Sequence, residues 1–549
     1  MISYLLKKKE IFLLFILLSL YLLLATKNIT VPGLDMDEAH VACGALDLLR
    51  GTKINYHAVT LRFFGRMLPV MFVNYHPSLE SYLLIPFFIL FGANVVALRL
   101  SSIFFGFLTL LFAYFFTKDF FDWKAAFITL ILLVTSPYFL FATKVGNNLH
   151  SYAIFFSISA LFYFLKWYEQ GRLAYFLLGS FLLGLGSSTT GWFVVFVIAL
   201  ALAGIIFLKD IKKSIVSKLR HTPFWFYLPF GLIFFCVGDF LFLYANFINE
   251  SSRFITFKYF LLNFCQNSAG LNNLDYVTNV NSRFKNLLEL LSENGYLHLA
   301  FGGMRGNNFL PLLFFSLLSG LSLSLIFFKN TYFKKKKIAF IIALTCLMFF
   351  VSPFSCSGLV NVHLVLLVPF IQIIISVGLI ELMGYFIKAR LRIIAGGVVF
   401  FLLFTSIAFN FRIIKDYFKV MNKVGGIETR SDAIYELARW LKEYEPSSIV
   451  ALSWGFTMNL YFLLQGEKFV YDISYPLDAD LNEDGFLKTI ADFFKNPKTV
   501  YLSFVRNPVG ENRLMFFKKA VERSGKKLIE EKIFYQRDGN AVYVAYSVR

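Results

Sequence analysis

The sequence predicts an α-helical polytopic membrane protein of about eleven transmembrane helices, closed by a C-terminal α/β domain outside the bilayer. Three observations predict it. Hydrophobic residues make up 58% of the 549 positions, with 70 Phe and a mean hydropathy of +0.65, far above the share usual in soluble domains. The apolar residues fall in runs long enough to cross a bilayer. The Lys and Arg behind the net charge of +19 fall in short blocks between those runs, as in membrane proteins whose cytoplasmic loops are basic. That distribution argues against a nucleic-acid partner.

The first run follows Lys7-Lys8-Lys9 and shows no small-residue cleavage site, so it reads as a retained span with a cytoplasmic N-terminus. The segment Leu79–Gly92 is apolar but short and holds Glu80; it reads as an interfacial or re-entrant helix, since a crossing needs about 20 residues. Crossings follow at 97–116, 125–142, 149–166, 173–187, 190–208, 224–245, 309–328, 338–353, 364–387 and 393–410. With this count every inner turn is basic, as at Lys118 and Lys124, Lys166 and Arg172, Lys209 to Arg220, Lys334 to Lys337, and Lys388 to Arg392. Counting Leu79–Gly92 as a crossing would invert the later loops and break that agreement.

Residues 1–411 therefore form the membrane domain, with long outer loops at 27–96 and 246–308, and residues 412–549 form the soluble domain. In the latter, helical patterns near 432–444, 485–495 and 510–524 alternate with strand-like runs at 448–453, 467–473, 499–504, 528–535 and 541–548. No Gly-rich phosphate fingerprint is present, so a nucleotide-sugar donor is not implied. The five Cys show no paired or metal-knuckle spacing.

The chemistry concentrates in the first outer loop. Gly33-Leu34-Asp35-Met36-Asp37-Glu38-Ala39-His40 places three acids within four residues just after a span, which is expensive unless they meet water or do chemistry. Asp35 reads as a helix cap with Glu38 three residues on, Asp37 in the first turn, and a helix running to Leu49 before Gly51. A capping box with a favourable first-turn charge explains these acids equally well without any catalytic role. Six of the seven His (40, 57, 76, 150, 298 and 363) fall on the predicted outer side; a lone His is usually a packing or solvated residue. No His spacing supports a metal.

Asp-Glu-Ala at 37–39, the helix ending in Leu48-Leu49-Arg50-Gly51, His76-Pro77 before an apolar helix, and Ala97-Leu98-Arg99-Leu100-Ser101-Ser102 with Gly106 together resemble the GT-C superfamily of membrane glycosyltransferases. More narrowly they are similar to the protein O-mannosyltransferase and aminoarabinose transferase group. The likeness covers roughly residues 10–200 well and the rest weakly. It implies a GT-C-like fold and transfer of a sugar from a polyprenyl-phosphate donor to a lipid, glycan or protein acceptor at the outer face of the cell membrane, with no cofactor beyond a divalent metal that ligand spacing does not support. It also implies that Asp37 is the base in an inverting displacement and that Glu38 orients the loop. Donor contacts would come from His76, standing where relatives often carry Lys, from Arg99, and from Lys144, the only cation after the third span. His40 and His363 complete the expected substrate-binding set, His363 lying where relatives carry Arg-Tyr before a Pro. A snorkelling role serves Arg99 equally well. The departures at positions 76, 144 and 363 leave two further readings: a transporter or flippase of lipid-linked sugars, though repeated halves and broken mid-membrane helices are not seen, or a non-catalytic scaffold of the same fold.

Overall fold

The computed structural model describes residues 2–73, 76–144, 149–211, 227–248, 276–294, 306–307, 309–327, 332–354, 361–385, 389–473, 489–506 and 511–549. Asn147, Asn148 and most of the second outer loop, with Arg253, Lys258, His298 and Arg305, lie outside them, as does His221.

Helix α1 (Ile2–Thr26) leads into α2 (Met36–Arg50), a sheet of β1 (Val59–Phe63), β2 (Arg66–Val73) and β3 (His76–Pro77), and α3 (Leu79–Phe91). Helix α4 (Val95–Phe120), the pair α5 (Trp123–Thr135) and α6 (Pro137–Lys144), and α7 (Leu149–Gln170) follow. Further helices run over Leu173–Ser187, Phe193–Ile206, Tyr227–Gly238, Phe309–Phe327, Lys335–Val351, Val368–Tyr385 and Ala389–Val424. A helix thus occupies each segment that hydropathy marks as a crossing. Among the described residues six are individually long and apolar enough to span, and eight if each of two bent pairs, α5 with α6 (63°) and Tyr227–Gly238 with Phe240–Phe247 (79°), counts as one span. The breaks follow from local chemistry: Ser136-Pro137 removes a donor inside the first pair, and the buried Asp239 sits at the second. Broken spans were not anticipated from the sequence.

The spans share one apolar core, rich in Phe and Ile. Where two backbones must touch, glycine permits it. A side chain on Gly184 would meet the Phe235 carbonyl, and one on Gly238 the Phe181 carbonyl, the close approach that small residues allow between membrane helices. Helix α3 is too short to cross and contains Pro86; it lies between α2 and α4, with Ile89, Leu90 and Phe91 exposed at its end.

Nothing breaks the last membrane helix at Asn410. It continues to Val424 and stops only where Gly425 and Gly426 take positive φ. The terminal domain holds the five expected strands, β4 (Ser448–Ala451), β5 (Val470–Asp472), β6 (Thr499–Phe504), β7 (Leu528–Tyr535) and β8 (Ala541–Val548), in the order β5-β4-β6-β8-β7. The β5-β4-β6 half is parallel and the β6-β8-β7 half antiparallel. Side-chain alternation along β4 sends Ile449 and Ala451 to the core under helix Ala433–Tyr444, and Val450 to the core under helix Glu511–Arg523. The short helix Thr457–Leu463 is apolar on most sides and carries no helical period by which the sequence could reveal it. It docks Tyr461 and Phe462 into a further core formed by α2, α3 and α4, and so joins the two domains.

Candidate active site

The site begins at the N-terminus of α2. Asp35 is its cap, and the Asp37 amide donates to Asp35 Oδ1 at 2.9 Å. Gly51 closes the helix at φ 65°. Successive helical residues diverge by about 100°, so Asp37 and Glu38 face different surroundings. Glu38 points inward and meets Arg99 of α4 in a two-pronged pair, Nε to Oε1 at 2.7 Å and Nη2 to Oε2 at 2.8 Å, with both side chains out of solvent. Arg99 also donates to the carbonyls of Ile29 (2.8 Å), Pro32 (2.9 Å) and Gly33 (3.4 Å). A guanidinium has five N–H donors, and all five are used. Arg99 therefore has none left for a donor phosphate, and it is buried, so it does not snorkel either. It clamps the loop before α2. Glu38 is its counter-charge and makes no return contact to the cap. Removing one partner of such a pair strands a buried charge, at a cost of about 3–5 kcal/mol.

Asp37 faces the other way. It is half-buried, and among the described residues its carboxylate has no hydrogen-bond or ion-pair partner. Beside it, the buried Asp35 carboxylate accepts from Thr429 Oγ1 at 3.3 Å and lies 3.5 Å from Arg430 Nε. Both come from the turn Glu428–Arg430 that leads into the C-terminal domain. That turn is locked against the acidic loop, because the Gly33 amide donates to the Arg430 carbonyl at 2.8 Å and a side chain on Gly33 would strike Ser431. Burial, then the like charge of Asp35, pushes Asp37 up to about 7, and Arg430 opposes the rise. A carboxylate tuned toward neutral pH is a better proton acceptor than an ordinary Asp. Sequence reasoning did not find Arg430. Thr429, its neighbour, is 394 positions from Asp35, and no local pattern marks either residue.

His40 follows Asp37 by three residues and shares its face of α2. Its Nε2 lies 2.8 Å from the Tyr56 carbonyl, and its ring lies 5.8 Å from His57 and 4.8 Å from Phe72 of β2. His57 Nδ1 is 2.7 Å from the Asn55 carbonyl. His76, on β3, hydrogen-bonds the Thr189 backbone and lies within electrostatic reach of His40 and His150. The His150 ring is 6.2 Å from that of His363, which packs 5.1 Å from Trp192. The histidines that looked solitary in sequence thus form an array from α2 to the turn Asn361–Leu367. Burial lowers His40 to about 4 and His57 and His76 to about 3. His76 is therefore neutral at physiological pH and does not supply the charge of a Lys at that position. Among the described residues no three His, Cys, Asp or Glu side chains are grouped to hold a metal ion.

Lys144 ends α6. It is buried, donates to the Lys27 carbonyl and lies 4.7 Å over the Phe418 ring, with Lys27 over the same ring at 4.8 Å. Only one of its three donors is engaged by a described residue. The opposite end of α6 is capped from the second long loop: Glu293 Oε2 accepts from Ser136 Oγ at 2.7 Å and from the Tyr138 amide at 2.6 Å. Burial pushes Glu293 up to about 8. The structure therefore links His40, His76 and His363 through neighbouring histidines, sets His40 on the face of α2 that bears Asp37, commits Arg99 to the loop as a clamp, and adds Arg430 beside Asp37.

Comparison with known proteins agrees with this architecture. Residues 75–237 match the family model for dolichyl-phosphate-mannose-protein mannosyltransferase. No curated protein sequence is a significant match. Among solved structures, ArnT from Cupriavidus metallidurans bound to undecaprenyl phosphate is similar at a TM-score of 0.61 and 13% identity, covering 96% of this chain and 97% of that one. The archaeal oligosaccharyltransferase AglB from Archaeoglobus fulgidus, in complex with an inhibitory peptide and a dolichol-phosphate, is similar at a TM-score of 0.55 and 13% identity, covering 91% and 69%. With an apolar multi-helix body, an acidic loop after the first helix and a docked α/β domain, the chain has the GT-C fold of the membrane glycosyltransferases.

Proposed function

We propose that this protein transfers a sugar from a polyprenyl-phosphate carrier to an acceptor at the outer face of the membrane, with Asp37 as the base. The observation that carries the reading is the state of Asp37. It is a half-buried carboxylate with no partner among the described residues, raised to about 7 and placed in the first turn of a rigidly clamped helix. In the step, an acceptor hydroxyl or amine gives its proton to Asp37 as its lone pair forms a bond to the anomeric carbon. The bond from that carbon to the phosphate oxygen breaks, and the polyprenyl phosphate leaves with the electron pair. One displacement inverts the anomeric centre. The leaving phosphate needs donors aimed at its developing charge. Lys144 is the side chain assigned to it, with neutral His40 and His76, and with His363, as shorter-range hydrogen-bonding groups. The undecaprenyl phosphate of the ArnT complex and the dolichol-phosphate of the AglB complex support this class of carrier. The basic inner loops support a cytoplasmic N-terminus and an outer site.

The test is transfer from radiolabelled polyprenyl-phosphate sugars in reconstituted vesicles. Asp37→Asn keeps shape and removes the base, and should reduce transfer by at least the roughly 10²–10⁴-fold typical of a lost general base, with unchanged expression and unfolding temperature. Near-normal turnover in that variant would remove Asp37 from the reaction.

A further inference from the structure

The acidic loop carries a second feature that the transfer reaction does not use. Strands β1 and β2 pair Phe63 with Arg66 across a two-residue turn, Phe64-Gly65, with φ of 45° and 77°. Both residues are left-handed, the geometry that fits a tight hairpin. Gly65 adopts it freely, whereas a bulky residue there is an outlier that usually marks function. Phe64 is nonetheless 92% exposed, Phe63 is 55% exposed, and the two rings meet edge to face at 4.5 Å. Arg62 and Arg66 flank them, both exposed. No acidic residue occurs between positions 59 and 73.

The base of the hairpin shows where this tip sits. Val59, Val70 and Met71 are buried against Ala245, with Leu241, Phe242 and Tyr244 packed around them. Those four residues belong to the segment that turns by 79° after helix Tyr227–Gly238. Phe240 and Phe247 of that segment are also exposed. The base of the hairpin thus packs on the segment that follows an apolar membrane-type helix, and both the segment and the tip expose aromatic rings.

We propose that the Phe63–Phe64 tip is an interfacial anchor, its rings in the boundary between headgroups and acyl chains and Arg62 and Arg66 on lipid phosphates. Aromatic residues favour that zone, and Arg side chains reach from apolar surroundings to anionic headgroups. A lipid surface fits better than a protein groove, because two cations flank the rings and the segment that seats the hairpin follows an apolar membrane-type helix and exposes Phe240 and Phe247. The anchor has a consequence for the site. Phe72 of the same β2 touches both His40 and His57, so a tip held in the interface fixes the height of the histidine array relative to the lipid phosphates. The proposal holds whether or not Asp37 is a catalytic base.

The experiment uses the full chain in vesicles of phosphatidylcholine and phosphatidylglycerol. An environment-sensitive fluorophore is attached at Phe64→Cys and, as control, at Asp538→Cys on an exposed turn of the C-terminal domain. The unsubstituted chain is labelled in parallel to subtract native thiols. Shallow spin-labelled lipids should quench position 64 severalfold more than position 538, and aqueous iodide should do the reverse. Arg62→Gln with Arg66→Gln should reduce the lipid quenching. Equal access of iodide to both positions would overturn the anchor, as would a crosslink from position 64 to a second copy of the chain without lipid quenching. Independently of any substitution at the tip, a phospholipid with a photoactivatable headgroup should tag the peptide around 62–67 in the parent protein. Tagging confined to transmembrane peptides would also overturn it.

Discussion

Asp37 and Glu38 are adjacent yet experience opposite electrostatics, because a helix turns about 100° per residue. Glu38 enters a dry interface and meets the Arg99 guanidinium there. Asp37 stays near solvent, where its proton affinity is set by burial, Asp35 and Arg430 in that order. Arg430 is the group that holds the value down, so its loss should raise the value further. A base must be ionised to accept a proton, and the transfer rate should therefore fall as pH drops through about 7. Arg430→Gln should move this acid limb to higher pH by up to about one unit, which is roughly tenfold in rate below the limb and little on the alkaline plateau. Arg430 is partly exposed, which screens its field and keeps the shift modest. Arg430→Lys should recover part of it. A pH–rate profile identical to the parent's would take Arg430 out of the field at Asp37.

At the scale of elements, α6 carries Lys144 at one end and depends on a distant loop at the other. Its first turn needs acceptors for free N–H groups, and Ser136-Pro137 lets the span bend without offering enough of them. Glu293 supplies the missing acceptor. Its carboxyl rises from an ordinary 4.5 to about 8, so the folded protein keeps a proton that the unfolded chain releases between those values. Stability from this group is therefore lost as pH rises from about 4.5 to about 8. Glu293→Gln keeps a carbonyl for both bonds and cannot ionise. It should unfold at a higher temperature than the parent above pH 8 and match it near pH 5. Glu293→Ala should be less stable than the parent near pH 5, by the roughly 1 kcal/mol typical of a lost N-cap, and should lose the pH slope as the Gln variant does. Thermal unfolding in detergent across pH separates the two; a Gln variant with the parent's pH slope would show that Glu293 does not carry it.

At the scale of the molecule, the C-terminal domain is part of the site. Tyr461 donates to the buried Asp47 of α2 at 2.6 Å, Asn459 donates to the Leu34 carbonyl at 3.1 Å, and Phe462 stacks on Phe88 of α3 at 5.6 Å. These contacts hold the turn that bears Arg430 against the acidic loop. Tyr461→Phe leaves a buried carboxylate short of a donor, and should weaken docking by about 1–3 kcal/mol. Limited proteolysis should then cut the Gly425–Ser431 junction faster than in the parent. Unchanged cleavage would mean that apolar contacts alone dock the domain.

The sequence by itself determined the elements. Hydropathy marked the apolar helices of the membrane domain, because a bilayer or an apolar core demands long apolar runs locally, but not helix Tyr276–Leu291 of the second outer loop. Short strand-like runs marked all five strands of the terminal sheet, and the Asp35 cap with Gly51 delimited α2, because end groups are satisfied within a few residues. Tertiary structure decided which side chains meet. Only the rotation of α2 against α4 separates Asp37 from Glu38 and commits Arg99 to the protein instead of to a ligand. Packing also neutralises His76, gathers histidines from five segments, and delivers Arg430 and Glu293 from afar. The hairpin of the first loop and helix Thr457–Leu463 escaped the sequence for the same reason: their residues are chosen by neighbours distant in the chain, and periodicity records only neighbours close by.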